Sequence, residues 1–302
     1  MALVIEEKDQ QSKAPADYRQ AIDSVLKSTD FERFIKNAFE EDISTGDITG
    51  NSVVPAEAKS KVTLLLKEPA YIAGLELFEF VLRSLDADLK FEPLLSSPGF
   101  VAAVPAPIAR ISGNSRALLA AERTALNLIQ RMSGIATLTS KFVELAAPSG
   151  IEILDTRKTT PTLRMIEKLA VKLAGGTNHR FGLYDGILIK DNHRAIAGGV
   201  RAAVSRARLN CPSVPIEVEV NTLEQLQEAL ELSVERVMLD NMSPAEVQSA
   251  VDIVKGRCYI EVSGGINLSS IKDYLIPGVN GISIGALTHS IKNIDLSLEF
   301  ED

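Results

Sequence analysis

The chain has 302 residues, 45% hydrophobic and 24% charged, with a formal net charge of -8, a composition usual for a soluble globular protein of one large or two moderate domains. That acidity argues against nucleic acid or an anionic membrane as partner, since either requires a clustered basic face, and no window of about 18 apolar residues exists to span a bilayer. Trp is absent and aromatics make up 5%, so an Ala/Leu/Ile/Val core is expected. Cys211 and Cys258 lie far apart without metal spacing and read as small core hydrophobes of a reducing, cytoplasmic compartment.

The opening MALVIEEKDQQSKAPADYRQ turns acidic and polar at once, unlike a signal or transit peptide, and residues 1–30 are expected to form a loose tail. Phe31, Phe34, Ile35, Ala38 and Phe39 then recur at helical spacing. The polar stretch Glu41–Thr49 follows as a turn too short to be structure of its own. Lys61–Lys67 reads as a strand stopped by Pro69, Gly74–Leu85 as a helix, and Phe91–Ile111 as short strands that Pro93, Pro98, Pro105 and Pro107 keep from being helical. Two largely buried helices are expected next, Ser115–Arg131 and Ser133–Ala147. Residues 31–148 thus form a first, α+β domain, closed by Pro148-Ser149-Gly150.

After Gly150 short apolar runs alternate with helices. The runs are Ile151–Leu154, Ile187–Ile189, Ile216–Val220, Arg236–Leu239, Cys258–Val262 and Gly281–Ile284, and capping boxes at Thr222–Gln225 and Ser243–Glu246 start two of the helices. Apolar strands alternating with helices imply a parallel sheet covered on both faces. No glycine-rich nucleotide fingerprint follows the first strand, so an open doubly wound sheet fits poorly. A β/α barrel over residues 149–290 fits better, with about six units instead of the usual eight. Residues 291–302 are expected to pack back on the first domain.

Chemistry in such barrels gathers at the C-terminal ends of the strands. Those positions hold Asp155 with Arg157 and Lys158, then Lys190, Glu219, Asp240, Ser263-Gly264-Gly265, and Ser283-Ile284-Gly285. His179 and Arg180 follow Gly175-Gly176 in a polar loop, a pairing suited to a carboxylate or phosphate. A basic pocket in an acidic protein suits a small, multiply anionic ligand. The glycine turns suit phosphate. Glu219 and Asp240 suit either sugar hydroxyls or Mg²⁺, or else ion pairs with Lys158 and Lys190. Lys190 alone also suits Schiff-base chemistry. Arg164, Lys168 and Lys172, at four-residue spacing, read as a solvated helix face, and Glu122 and His289 are weaker candidates.

Eight blocks in order carry a resemblance: E-D-x-x-x-G-D-x-T at Glu41–Thr49, ERTALNLIQRMSGIAT at Glu122–Thr137, DTRKTTP at Asp155, GGTNHR at Gly175, LIKDNH at Leu188, EVEV at Glu217, LDN at Leu239 and SGGI at Ser263. Together the set resembles the quinolinate phosphoribosyltransferase family from about Phe31 to Ser290. The resemblance implies an N-terminal open-faced α+β sandwich and a C-terminal incomplete (β/α) barrel, hence an α/β fold. It also implies a homodimer or higher homo-oligomer in which the neighbouring subunit completes each site. The implied reaction joins quinolinate to 5-phosphoribosyl 1-diphosphate with Mg²⁺, giving nicotinate mononucleotide, pyrophosphate and CO₂ in de novo NAD synthesis.

By position in these motifs, Arg123 resembles the arginine supplied by the partner subunit. Arg157, His179 and Arg180 resemble the quinolinate carboxylate ligands, and Lys158 and Lys190 the phosphate and pyrophosphate ligands. Glu219 and Asp240 resemble the ribose and Mg²⁺ contacts, and Ser263, Gly264, Gly265, Ser283 and Gly285 the 5′-phosphate cradle. Thr156, Ile284 and His289 complete the expected substrate-binding set. A related branch tied to molybdenum uptake is the alternative, against which the intact basic set and the Glu41–Thr49 block count. Two departures stand out: Thr162 where the family usually has Gly, and Val262 where Ala is common.

Overall fold

The computed structural model describes residues 16–95 and 97–301 and divides the chain into two compact units, with breaks after Ser133 and after Lys292. The first unit opens with α1 (Ala16–Leu26), α2 (Thr29–Asp42) and α3 (Ile48–Val53), followed by β1 (Lys59–Leu66), β2 (Ala70–Ile72) and α4 (Leu75–Arg83). Then come β3 (Lys90–Pro93), β4 (Gly99–Val101), β5 (Ala106–Asn114) and the long α5 (Ser115–Ala146), whose second part belongs to the second unit. Val62, Leu64 and Leu66 are buried while Thr63 and Leu65 between them are partly exposed, the alternation of a sheet covered on one face only.

Several expectations for this unit change. Residues 16–26 are helical instead of loose, because Ile22 and Val25, one turn apart, are buried and α1 packs on α4. Residues 1–15 of the expected tail lie outside the described residues. The stretch expected to be only a turn ends in α3, capped by Asp47, whose carboxylate accepts the Gly50 N–H at 2.9 Å. The two helices expected after Ser115 are one: Met132 and Ser133 are fully buried inside α5, and the Ser133 hydroxyl accepts the Ala73 N–H instead of interrupting its own helix.

The second unit contains β6 (Glu152–Leu154), α6 (Arg164–Leu173), β7 (Ile187–Ile189), α7 (Asp191–Ala197), α8 (Val200–Asn210) and β8 (Ile216–Val220). It continues with α9 (Leu223–Glu231), β9 (Arg236–Asp240), α10 (Pro244–Val254), β10 (Tyr259–Ser263), β11 (Gly281–Ser283) and the short α11 (Ala286–His289). The last strand, β12 (Leu296–Phe300), returns to the first unit, where it pairs antiparallel with β1 in a sheet ordered β12-β1-β5-β3.

In the second unit the six strands are parallel and ordered β6-β11-β10-β9-β8-β7. Chain neighbours are sheet neighbours throughout, except that β6 and β7 do not pair among the described residues. The result is an incomplete β/α barrel with one seam. A short segment partly fills it: Thr177 N–H donates to Ile153 O at 2.7 Å, and Asp155 N–H to Thr177 O at 3.1 Å. Ser243 and Glu246 form the expected reciprocal cap of α10. Thr222 caps α9 through Gln225 N–H, but the Gln225 side chain accepts from Asn221 instead of Thr222. Neither cysteine is a core residue: Cys211 is exposed and Cys258 half-buried.

Thr162, on the turn between β6 and α6, is exposed and has φ +70°. A β-branched residue there strains its backbone by ~1–2 kcal/mol, against which glycine's extra freedom in the unfolded chain costs ~0.5–1 kcal/mol. Thr162→Gly should therefore raise stability by ~0.5–1 kcal/mol, read as a higher urea midpoint. A lower midpoint would show that the threonine side chain contributes more than its backbone strain removes.

Candidate active site

The C-terminal ends of the six strands surround a cavity of about 640 Å³, within the size range of small-molecule sites. The turn after β6 contributes Thr156, Arg157 and Lys158, the residue after β7 Lys190, and β8 and β9 Glu219 and Asp240. Ser263, Gly264 and Gly265 line it from the end of β10, and Ser283, Ile284, Gly285 and His289 from β11 and α11. His179 and Arg180 reach it from the segment that fills the seam. Arg123 lies on α5 in the first unit and is exposed in the single chain.

A buried ion pair holds that segment. Lys168 is 1% exposed and Asp155 0%. The ammonium donates to Asp155 and, at 2.9 Å, to the carbonyl of His179. Asp155 also accepts the His179 N–H at 2.9 Å and the Asn178 amide at 2.6 Å. Burial is the largest influence on both partners, raising the Asp155 carboxyl and lowering the Lys168 ammonium against their mutual attraction. This corrects the reading of Lys168 as solvated surface: the helix face it shares with Arg164 turns inward. Arg164 donates to the Thr159 hydroxyl at 2.9 Å and the Phe181 carbonyl at 3.0 Å, tying the two active-site loops together.

His179 is set between its backbone and two carboxylates. Its Nδ1 accepts the Arg180 N–H at 2.7 Å, while Nε2 lies 3.0 Å from Glu217 and 3.4 Å from Glu261. Burial alone would lower its pKa, but the two carboxylates outweigh it and raise the ring to about 9. Nε2 thus carries a proton toward the carboxylates, while the ring's second proton and the Arg180 N–H compete for Nδ1. Burial raises Glu217. Glu261, although burial pushes it the same way, is held below the ordinary range chiefly by His179. His179, Glu217 and Glu261 bring one ligand atom each within 4.8 Å, as three metal ligands would. Arg236, 3.2 Å from Glu261, offsets one of its two negative charges, and a proton on Nε2 occupies the atom a metal would need.

The anion-binding groups are exposed differently. Lys190 is half-exposed and pairs with Glu219 at 3.3 Å, the ion pair anticipated as an alternative role for these residues. Asp240 accepts the side-chain amides of Asn241 at 2.8 Å and Asn221 at 3.3 Å. Arg157, which lines the cavity, has its Nε buried without a partner among the described residues, a donor left unsatisfied by the protein itself. Gly264 has φ +110°, and a Cβ there would come within 2.3 Å of Asn241 Oδ1, so only glycine lets this loop close on the next strand.

Fifteen of the sixteen anticipated substrate-binding residues line this cavity, all except Arg123. Glu261, Asn241 and Asn267, which also line it, were not anticipated. Nor was the Glu217–Glu261 pair behind His179. A signal existed: in Ile216–Val220 and Ile260–Val262 a carboxylate interrupts an apolar strand at period two, which places it on one face.

Comparison with known proteins agrees with the resemblance. The profile of the quinolinate phosphoribosyl transferase C-terminal domain matches residues 135–299, and that of the N-terminal domain residues 47–133. A probable nicotinate-nucleotide pyrophosphorylase [carboxylating] of Bacillus subtilis is 42% identical over 269 residues, 89% of this chain and 92% of that protein. The chloroplastic nicotinate-nucleotide pyrophosphorylase [carboxylating] of Arabidopsis thaliana is 38% identical over 90% of this chain and 83% of its own. The solved nicotinate-nucleotide pyrophosphorylase of Francisella tularensis superposes with a TM-score of 0.85 at 39% identity, covering 92% of this chain and 96% of that one.

Two measurements test the anchoring. Lys168→Met should cost ~3–5 kcal/mol by leaving Asp155 buried and unpaired, and adding Asp155→Asn should recover much of it. A loss below ~1 kcal/mol would show the pair to be incidental. An NMR titration should place the His179 midpoint near 9, above the ordinary 6.5. Its contribution to stability is then whole below about pH 6.5 and lost as pH rises through about 9. A midpoint below 6.5 would mean that the Arg180 amide, not the carboxylates, controls the ring.

Proposed function

Because the chain belongs to the quinolinate phosphoribosyltransferase family, we propose that the cavity of its second unit binds quinolinate and 5-phosphoribosyl 1-diphosphate side by side. The chain is a pentosyltransferase that makes nicotinate mononucleotide, pyrophosphate and CO₂ in de novo NAD synthesis. The observation that carries this assignment of the site is the gathering of Arg157, Lys158, His179, Arg180 and Lys190 around one cavity in a chain of net charge -8.

The pyridine nitrogen of quinolinate is itself the nucleophile, so no general base is required. Arg157 and Arg180 orient the dicarboxylate through guanidinium forks, with His179 beside them. Gly264, Gly265 and Gly285 allow backbone N–H groups to approach the 5′-phosphate. Nitrogen attacks C1′ of the ribose as the bond to pyrophosphate breaks. Glu219 tolerates the cationic sugar, and Lys158 and Lys190 meet the departing charge, which makes catalysis a matter of position and electrostatics. The ribosylated nitrogen, now positive, stabilises the electron pair left on the adjacent ring carbon when its carboxylate departs as CO₂, and that carbon then takes up a proton.

Glu219 and Asp240, oxygen donors on neighbouring strands, suit Mg²⁺, which takes one or two carboxylates and keeps its remaining positions for water and phosphate. Bound there, Mg²⁺ would neutralise charge on the diphosphate. Arg123, exposed on α5, supports a homodimer in which each subunit lends this arginine to its neighbour. Free thiols at Cys211 and Cys258 accord with a cytoplasmic setting, and no described helix is long and apolar enough to cross a membrane.

Incubation with quinolinate, phosphoribosyl diphosphate and Mg²⁺ should release CO₂ and nicotinate mononucleotide in equal amounts, and Lys190→Ala should lower kcat ~100-fold. Mixing Arg123→Ala with Lys190→Ala subunits should restore ~25% of sites, those in heterodimers with one intact pocket. Nucleotide formed only from nicotinic acid would change the substrate. Proven subunit exchange without recovery would remove Arg123 from the neighbour's site.

A further inference from the structure

The register of the parallel sheet places charge in the barrel interior, below the cavity. Arg236 opens β9 and is the registered partner of Glu217 on β8 and of Tyr259 on β10. One step nearer the cavity, Glu261 is registered with Met238 on one side and Gly281 on the other. The Arg236 guanidinium reaches both carboxylates, with Nη2 at 3.2 Å from Glu261 and Nε at 3.7 Å from Glu217. Its carbon sits 4.0 Å from the centre of the Tyr259 ring. That ring is fixed in turn, because the Tyr259 hydroxyl donates to Glu152 on β6 at 2.6 Å. Gly281 leaves the space it needs: a Cβ there would come within 2.3 Å of the tyrosine oxygen.

We propose that Arg236, which does not touch the cavity, is a positioning residue for quinolinate: it holds Glu217 and Glu261 in place so that they orient His179 and do not repel the substrate's carboxylates. The inference rests on the reading of the cavity as the quinolinate site. Two carboxylates beneath a dianionic ligand oppose its binding. Arg236, the His179 N–H and the Ser283 hydroxyl face them, and Arg236 is the one whose charge is permanent. Removing it leaves buried negative charge next to the wall that receives quinolinate. Phosphoribosyl diphosphate, gripped by Lys158, Lys190 and the glycine turns, should feel the change much less.

Steady-state kinetics on the full-length enzyme test this. Arg236→Met should raise the KM for quinolinate ~10-fold and that for phosphoribosyl diphosphate by less than ~2-fold, and Arg236→Lys should lie between Arg236→Met and the unaltered enzyme. Adding Glu261→Gln to Arg236→Met removes the uncompensated charge and should return the quinolinate KM most of the way, a non-additivity that a purely structural defect would not produce. Should Arg236→Met fail to fold, Arg236→Lys decides: a ~3-fold rise confined to quinolinate supports the role. An unchanged quinolinate KM in folded variants, or equal rises for both substrates, overturns it. Failure of the unaltered enzyme to convert quinolinate would overturn the reading of the site instead, which the same assay shows directly.

Discussion

One buried ammonium organises the active site. Lys168 reaches from the inner face of α6 to the end of β6, where Asp155 receives it, and the same carboxylate binds the main chain of His179 and the side chain of Asn178. Burial pushes both partners toward their neutral forms, yet the hydrogen bond between them survives whichever one holds the proton. It is therefore robust as a tether even though, as a source of net stability, a buried ion pair contributes little beyond the desolvation it requires. Without it, His179 and Arg180 would sit on an ordinary surface loop. With it, the main chain of His179 is tied to the end of β6 and to α6.

Above this tether the site works by opposed charges. The chain is acidic overall, and the cavity itself includes Glu219, Asp240 and Glu261 among its lining residues. The local carboxylates are already engaged, which leaves its cations free to meet the proposed anionic ligands: Glu219 with Lys190, Glu261 with His179 and Arg236, and Asp240 with two amides. Each engaged carboxylate stays close enough to meet positive charge that develops in a reaction. On the proposed reading, binding of anions and stabilisation of a cationic sugar are thus reconciled within one pocket.

Much of this was legible in the chain. The apolar runs that end in Asp155, Lys190, Asp240 and Ser263 mark strand ends because a polar residue after such a run usually stands where the strand emerges, although Glu217 and Glu261 show that a paired charge can also lie within a strand. That the barrel is incomplete followed from the resemblance, but where it opens did not, since pairing between β6 and β7 depends on curvature and not on any local pattern. Lys168 was misread because helical spacing identifies the face a residue shares but not whether that face meets water or a carboxylate. The unbroken α5 and the helical α1 were missed for a similar reason: burial of Met132, Ser133, Ile22 and Val25 comes from elements distant in sequence. Thr162 was noticed as a departure, but only its backbone angle shows why the position disfavours threonine.

The seam has a mechanical consequence. A fully hydrogen-bonded barrel has a fixed girth, because widening it anywhere breaks a ladder. Here the hoop is open between β6 and β7, and a chain of side chains crosses the other strands, from Glu152 through Tyr259 and Arg236 to the carboxylates behind His179. A cation over an aromatic face tolerates small sliding better than a main-chain ladder does. A change in girth at the opening therefore need not break any strand pairing.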